Sequence, residues 1–214
     1  KSEKETSLTF GTGGFPEIKA VAEGTLSLAW VNPSVSLTLA YRGKGVFPKK
    51  LPLRTLAVFP SYDVMAFAVH ESTGISSLNQ IKKERFPLII STRLRNPNDV
   101  RENSTMFTVA AVMEAAGFTF EDIRTWGGKT QFAPRPSYPE RRASIESGAV
   151  NAVFDEGIKS WSLTALEHGF RFLPVEGAVM EHLEAMGYRS TVMPKSRFEG
   201  LPEDIQTIDF SGWP

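Results

Sequence analysis

The sequence contains no cysteine among its 214 residues. Disulfide bonds, thiolate catalysis and cysteine-ligated metal sites are therefore excluded. No apolar run reaches the roughly 18 residues that a helix needs to cross a bilayer. The first residues, from Lys1 to Thr6, are polar and lack the apolar centre of a signal peptide. If the protein is exported, its export signal does not lie in these residues.

The chain also lacks a charge of one sign, since 24 basic residues balance 24 acidic ones. Nucleic-acid and anionic-membrane partners usually require a basic excess, so we expect no nucleic-acid partner. The hydrophobic fraction of 41% and the charged fraction of 22% are those of an ordinary folded domain. We expect a monomer.

Familiar catalytic motifs are missing as well. The three histidines, His70, His168 and His182, stand far apart, and no H-E-x-x-H zinc motif occurs. Ser211 lacks the G-x-S-x-G frame of a nucleophile elbow, and no Walker pattern is present. We therefore expect a protein that is not an enzyme, with no catalytic residue, no cofactor and no metal.

Apolar runs of strand length alternate with helical patterns that end at or near glycine. The predicted strands are Leu8–Gly11, Leu26–Val31, Leu53–Phe59, Asp63–His70, Phe86–Thr92, Ile123–Gly127, Val150–Asp155 and Phe170–Val175. The predicted helices are Ser77–Arg85, Thr105–Ala116, Glu140–Ser147, Ile158–His168 and Val179–Met186. Gly43–Pro52, Arg93–Asn103 and Thr130–Pro139 are predicted loops. This alternation indicates βαβ units, an α/β fold and mostly parallel sheet.

A glycine-rich turn follows the first predicted strand and includes Gly13 and Gly14. Such a turn can aim backbone N–H groups at an anion when it leads into a helix. The spacing is not that of a dinucleotide fingerprint, because its third glycine is missing. A plain tight turn is the alternative interpretation.

A second candidate joins Thr92 and Arg93, at a predicted strand end, to Ser104 and Thr105, at a predicted helix start. Ligands of open α/β sheets bind beyond the carboxyl ends of strands, and helix starts favour anions. Carboxylate or phosphate would suit this combination. Ordinary helix capping with a solvated Arg93 is the alternative.

Two further candidates lie at strand ends. Trp126 precedes two glycines that would let a ligand approach the backbone, although a buried core tryptophan is the alternative. Asp155 ends the Val150 strand and could receive a ligand ammonium, or it could simply cap the helix that follows.

An ordered set of segments resembles the TAXI-type solute receptors of TRAP transporters, with thiamine-precursor, nitrate and sulfonate receptors as broader relatives. Ala22–Phe47 is similar to a segment of these receptors in which a strand is followed by the pattern A…G.G.F. Ala66–Ser91 is similar to their segment with the pattern V…SGI.SL.DLKGKRV.VG. The other matching segments are LRTLAVF, Val112–Ile123 with its AAG and DI, Arg141–Ile158 with its "A…L..G.IDA.F…G" pattern, and Phe198–Trp213.

The resemblance implies a two-lobed, type II periplasmic-binding-protein-like fold, in which two hinge strands join mostly parallel sheets. Residues 1–66 and 176–214 would form the first lobe, and residues 67–175 the second. The hinges would be Asp63–His70 and Phe170–Val175. The first lobe would offer Gly13, Gly14, Trp30 and Asn32 to a ligand, and the second Thr92, Arg93, Ser104, Thr105, Trp126 and Asp155.

The same resemblance implies a periplasmic or extracytoplasmic receptor that delivers a small solute to membrane transporter subunits. The solute would be polar or anionic: dicarboxylate, amino-acid-like or pyrimidine-like. Family members usually carry an extra β-α unit before Leu8 and helices after Trp213, so we expect a piece of a longer receptor with an incomplete first lobe. Arg93–Asn103 replaces the family's short Gly-Ser loop.

Two alternatives remain open at this point. One is an enzyme on the same fold that acts on a small organic acid, with Asp155 and His70 as its acid/base pair. The other is the effector-binding domain of a transcription regulator.

Overall fold

The structure is a computed structural model that describes residues 14–59 and 61–212. Within them, the helices are α1 Phe15–Ala22, α2 Val35–Arg42, α3 Leu78–Glu84, α4 Asp99–Glu102, α5 Ser104–Ala115, α6 Phe120–Thr125, α7 Pro139–Glu146, α8 Ser162–Glu167 and α9 Gly177–Met186. The strands are β1 Ala66–His70, β2 Ile89–Thr92, β3 Lys129–Phe132, β4 Ala152–Asp155, β5 Phe170–Leu173, β6 Ser190–Met193 and β7 Ile205–Ile208.

Five strands form the main sheet in the order β3-β2-β4-β1-β5. Strand β2 pairs in parallel with β3 and β4, while β1 runs antiparallel to both β4 and β5. Four strands therefore point one way, and β1 opposes them. The carboxyl ends of β2 and β4 meet at one edge of the sheet, which is where the candidate site lies.

Side chains alternate across the sheet and feed two separate cores. On β1, Phe67 and Val69 join the larger core, while Ala66 and Ala68 join the smaller one. The larger core packs the sheet against α1, α2, α3, α5 and α9, and the smaller one packs the opposite face against α7, α8 and the β6–β7 hairpin. Because alternate residues of a strand face opposite ways, both faces are covered, as in α/β proteins.

The β6–β7 hairpin is bonded to both strands of the antiparallel β1–β5 pair at one end of that pair. The N–H of Met65, just before β1, donates to the carbonyl of Ile208, and the N–H of Val175, just after β5, donates to the carbonyl of Gln206. Asp209 forms a bridge with Val64. These bonds fix the hairpin against the segment that enters the main sheet.

Most predictions between residues 63 and 186 are confirmed at the level of elements. Strands β1, β2, β4 and β5 lie within the predicted strands, and α3, α5, α7, α8 and α9 coincide with the predicted helices to within a few residues. The α/β class is likewise confirmed. The predicted strand Leu8–Gly11 lies outside the described residues.

Three strand predictions are wrong. Leu26–Val31 and Leu53–Phe59 form no strand. Val31 and Leu53 pack against the larger core, but Leu56 is 84% exposed and Leu28 69%. Ile123–Gly127 belongs mainly to α6, because Thr119 and Asp122 form a capping box that begins a helix there. The strand that follows, β3, starts at Lys129 instead.

Two loop predictions also need correction. Arg93–Asn103 contains the short helix α4, whose N-terminal residue Asp99 accepts the backbone N–H groups of Arg95 and Asn96. The predicted loop Thr130–Pro139 begins inside β3. The division into two lobes at residues 66 and 175 stays a prediction.

Candidate functional site

The starts of three helices meet around Gly14. This glycine caps α1 with a φ of +97° and forms a bridge with Asn103, which caps α5. A Cβ atom on Gly14 would lie 3.7 Å from the carbonyl oxygen of Asn32, 3.8 Å from Ser104 Oγ and 4.0 Å from Ser36 Oγ. Three oxygen atoms from separate segments therefore surround the face that glycine leaves open. We call Gly14, Asn32, Ser36 and Ser104 together the Gly14 site.

The hydroxyl of Ser36 is the most informative group in the Gly14 site. Ser36 is fully buried, and its Oγ has no hydrogen-bond partner among the described residues. A buried hydroxyl without a partner costs about 1–3 kcal/mol, so folded proteins rarely keep one without a reason. An oxygen-bearing ligand at Gly14 would give this hydroxyl a partner.

Helix geometry adds positive potential to the Gly14 site. Ser36 lies in the first turn of α2, and Ser104 begins α5, which is 12 residues long. The first N–H groups of a helix lack intrahelical partners and carry a partial positive charge. The start of α1 is already occupied, because Glu17 Oε2 accepts the Gly14 N–H at 2.7 Å. At the start of α5, Asn103 Oδ1 accepts the N–H of Met106 at 3.1 Å. The remaining attraction for an anion therefore comes from the start of α2 and from the other first N–H groups of α5.

Three of the predicted site residues, Gly14, Asn32 and Ser104, are thus brought together by the fold. Thr105 is the next residue in α5 and is buried. Thr92 links the same helix to β2, since its hydroxyl donates to the sulfur of Met106 at 3.2 Å. Gly13 lies outside the described residues.

A buried ionic cluster continues from the end of β2. Arg93 contacts Asp155 Oδ1 at 3.1 Å and Glu156 Oε1 at 2.6 Å, and Arg141 contacts Asp155 Oδ2 at 2.5 Å. The last contact is an ion pair without hydrogen-bond angles, since Arg141 Nη2 has no hydrogen-bond partner among the described residues. Arg141 Nε donates to Ser91 Oγ at 3.0 Å. Both guanidinium groups are therefore neutralised by the protein itself.

Burial perturbs the acids of this cluster. It raises the pKa of Glu156 to about 7; Arg93 opposes the rise, while Asp155 and Asp63 add to it. Burial also raises the pKa of Asp63, against backbone hydrogen bonds from Gly157 and Val64. Glu156 Oε2 is buried without a hydrogen-bond partner in the described part of the chain. The ionised form of Glu156 is therefore destabilised by its surroundings at neutral pH.

Trp30 lies on the surface beside the start of α2. It is 69% exposed, and its ring packs on Phe59 with the centroids 4.7 Å apart. Phe59 in turn lies against Gly212, while the neighbouring Ser211 carbonyl accepts both the N–H and the hydroxyl of Ser34, the cap of α2. The aromatic pair thus flanks the helix that carries Ser36.

Trp126 is not brought to the other predicted residues. It ends α6 and packs on Phe118, with 6.3 Å between the centroids. The glycines that follow it contact Pro87 and Leu88, which precede β2. Trp126 therefore lies at the opposite end of β2 from Thr92.

The acid/base pair of the enzyme alternative is also not assembled. Asp155 pairs with Ala66 at one end of β1, whereas His70 pairs with Phe170 at the other end. Ala66, the partner of Asp155, lies four residue steps from His70 along β1, or about 13 Å. The Nδ1 atom of His70 is bonded to Ser72 instead.

Sequence reasoning missed Ser36, Arg141 and Glu156. The start of α2 did carry a local pattern, because Pro33 and Ser34 precede an apolar run that ends at Gly43. Ser36 was overlooked because that helix was not predicted. The burial of Arg141 has no local pattern, since its partners Ser91 and Asp155 come from other strands.

Neither a membrane helix nor a metal centre is found in the described residues. None of the helices there is long and apolar enough to cross a bilayer. No group of three or more histidine, aspartate or glutamate side chains in residues 14–59 and 61–212 could hold a metal ion.

Comparisons with known proteins identify no family. No protein-family model matches the chain, and no curated protein matches its sequence. One solved structure with a similar backbone is the alkanesulfonate-binding protein SsuA from Xanthomonas axonopodis pv. citri, bound to MOPS. The TM-score is 0.37 and the identity 13%. The match covers 76% of this chain but only 47% of that protein, so the chain spans about half of its length.

Proposed function

We propose that this protein is a receptor for a small anionic solute, which binds with an oxyanion at the Gly14 site. The single observation that carries the proposal is the buried hydroxyl of Ser36, which has no hydrogen-bond partner in the described residues and lies 4.0 Å from the position of a Cβ atom on Gly14, beside Ser104 Oγ. Two hydroxyl donors and the starts of α2 and α5 suit a carboxylate, sulfonate or phosphate.

Asn32 and Arg93, at the same end of the sheet, also bear on which anions could bind. The Asn32 carbonyl can accept a hydroxyl or ammonium of the ligand, so the site suits an anion with a donor close to its charge. Arg93 is held by Asp155 and Glu156. A carboxylate ligand would have to replace Glu156 to reach it, and Glu156 would then take up a proton because its pKa is already raised.

Trp30 gives the proposed ligand an apolar edge. Its ring and that of Phe59 are solvent-exposed beside α2, where a flat or apolar part of a solute could pack on them. Trp126 would take no part in this arrangement, because it lies at the other end of β2.

The finer proposal is an extracytoplasmic receptor of the TAXI type that hands its solute to membrane transporter subunits. The ordered resemblance of the segments between Ala22 and Trp213 supports it. Osmotic-shock release of the full-length gene product from its native cells tests the location. Retention of that product in the cytoplasm would favour the regulator alternative instead.

Ligand screening by thermal denaturation tests the central proposal. A ligand that binds only the folded state at a hundred times its Kd stabilises it by about 2.7 kcal/mol. We expect carboxylates, sulfonates or phosphate to raise the Tm, and neutral pyrimidines to leave it unchanged. No stabilisation by any anion would refute the proposal.

Ser36→Ala separates binding from packing because its two effects have opposite signs. Removing a buried hydroxyl that has no partner among residues 14–59 and 61–212 should stabilise the ligand-free protein by about 1 kcal/mol. Removing a donor to an anion should weaken binding by about tenfold or more, since such bonds contribute about 1.5–3 kcal/mol. Ser27→Ala, at an exposed serine, is the control. Unchanged affinity in Ser36→Ala would contradict the assigned role.

A further inference from the structure

An open cavity of about 390 Å³ lies between the segment that enters β1 and the β6–β7 hairpin. Its wall combines Tyr62 and Asp63 with Thr191 of β6 and with Arg197, which lies in the loop between β6 and β7. Cavities that hold small molecules begin at about 300 Å³. The cavity shares no residue with the Gly14 site, so its chemistry is a separate question.

One side of the cavity presents a cation without an acidic partner in the described residues. The guanidinium of Arg197 lies 4.4 Å from the centroid of the Tyr62 ring, and Lys159 Nζ lies 5.8 Å from the same centroid. No carboxylate in the described part of the chain comes within 4.0 Å of Arg197. A guanidinium stacked on a ring keeps its N–H edge available, and that edge matches a carboxylate.

The ring itself is held in place. The Tyr62 hydroxyl contacts the carbonyl of Val192 in β6 at 3.4 Å. Burial raises the pKa of this phenol, while Arg197 opposes the rise. The phenol is therefore neutral at physiological pH and offers Arg197 a π face, not a counter-charge.

The other side presents a carboxylate for which the described part of the chain supplies no cationic partner. Asp63 Oδ1 accepts the N–H groups of Val64 and Gly157, each at 2.9 Å. No lysine, arginine or histidine nitrogen among residues 14–59 and 61–212 lies within 4.0 Å of Asp63. Asp209 differs, because it lines the same cavity but is paired with Arg189 at 2.5 Å.

We propose that this cavity binds a small zwitterion of the α-amino-acid class, with its carboxylate on Arg197 and its ammonium on Asp63. The two charged groups face one cavity but are more than 4.0 Å apart, so they do not neutralise each other. A ligand that carries both charges supplies each group with its counter-ion at once. A simple anion or a simple cation would satisfy only one of them.

Isothermal titration of the purified chain with L-alanine, acetate and methylamine tests this assignment. Acetate and methylamine carry one half of the ligand each. We expect L-alanine to bind at least tenfold more tightly than either half. Equal affinity for acetate would overturn the ammonium role of Asp63, and no binding of L-alanine would overturn the site.

Variants locate the binding and keep it separate from the Gly14 site. Arg197→Gln should lower L-alanine affinity at least tenfold, and Asp63→Asn should abolish the preference for L-alanine over acetate. Arg171→Gln, at an exposed arginine of β5, is the matched control. Repeating the titrations in the Ser36→Ala background weakens any binding of the carboxylate at the Gly14 site, so the effects of Arg197→Gln and Asp63→Asn report on the cavity, and either proposal can fail alone. Unaltered binding in both Arg197→Gln and Asp63→Asn would refute the inference, provided that circular dichroism shows both variants folded.

Discussion

Replacing Glu156 with glutamine should remove a large part of the pH dependence of stability. Glu156 is buried at the end of β4, with one oxygen on Arg93 and the other without a hydrogen-bond partner in the described residues. Burial raises its pKa from 4.5 to about 7, with Asp155 and Asp63 adding to the rise and Arg93 opposing it. The folded protein therefore holds a proton that the unfolded chain releases at lower pH.

The sign follows from proton linkage. Below pH 4.5 the carboxyl is protonated in both states, and ionisation has no effect on folding. Between pH 4.5 and 7 the unfolded chain binds fewer protons, so the free energy of unfolding falls as the pH rises. Above pH 7 both states are ionised and the loss is complete. Such a pKa difference corresponds to about 3 kcal/mol.

Urea denaturation at several pH values measures the effect. The difference in unfolding free energy between Glu156→Gln and the wild type should grow by about 3 kcal/mol from pH 4.5 to pH 7.5 in favour of the variant. Glutamine keeps an acceptor for Arg93, so the geometry of the cluster is retained. Glu114→Gln, at an exposed position of α5, is the control. A difference that does not change with pH would refute the reasoning.

Three further substitutions test the packing around the sites. Arg141→Met leaves Asp155 buried without one of its cations and should destabilise the fold by about 3–5 kcal/mol, measured by urea denaturation; a loss below 1 kcal/mol would contradict the burial of the pair. Gly128→Ala places a Cβ atom 2.4 Å from the carbonyl of Leu88 and should cost about 1–3 kcal/mol, seen as a lower Tm. Tyr188→Phe removes a buried 2.8 Å hydrogen bond to α5 and should cost about 1 kcal/mol, without altering ligand affinity.

Local sequence patterns predicted the second half of the chain well because capping residues and glycines mark the ends of its helices. Helix α5 is apolar over most of its surface and ends before Gly117, and α3 begins directly after Ser77, whose hydroxyl accepts the N–H of Gln80. Such caps are read from neighbouring residues alone. The same patterns failed where an apolar run had no strand to pair with, as at Leu53–Phe59, since a strand requires a partner.

The Gly14 site was half predictable. Gly14 and Ser104 stand at a glycine turn and a helix start, and both features are visible locally. Their meeting could not be predicted, nor could the turning of Ser36 toward them, because these depend on how α1, α2 and α5 pack on one sheet face.

The sequence by itself determined the α/β class, the main strands and helices, and the ends at which polar groups would gather, because periodicity and capping are short-range effects. Only the tertiary structure decided which of those groups meet. In the folded chain, Arg93 contacts Asp155 and Glu156. The hydroxyl of Ser36 has no partner in the described residues, and Trp126 lies at the far end of β2. Burial and charge pairing depend on residues far apart in the chain, so no local pattern specifies them.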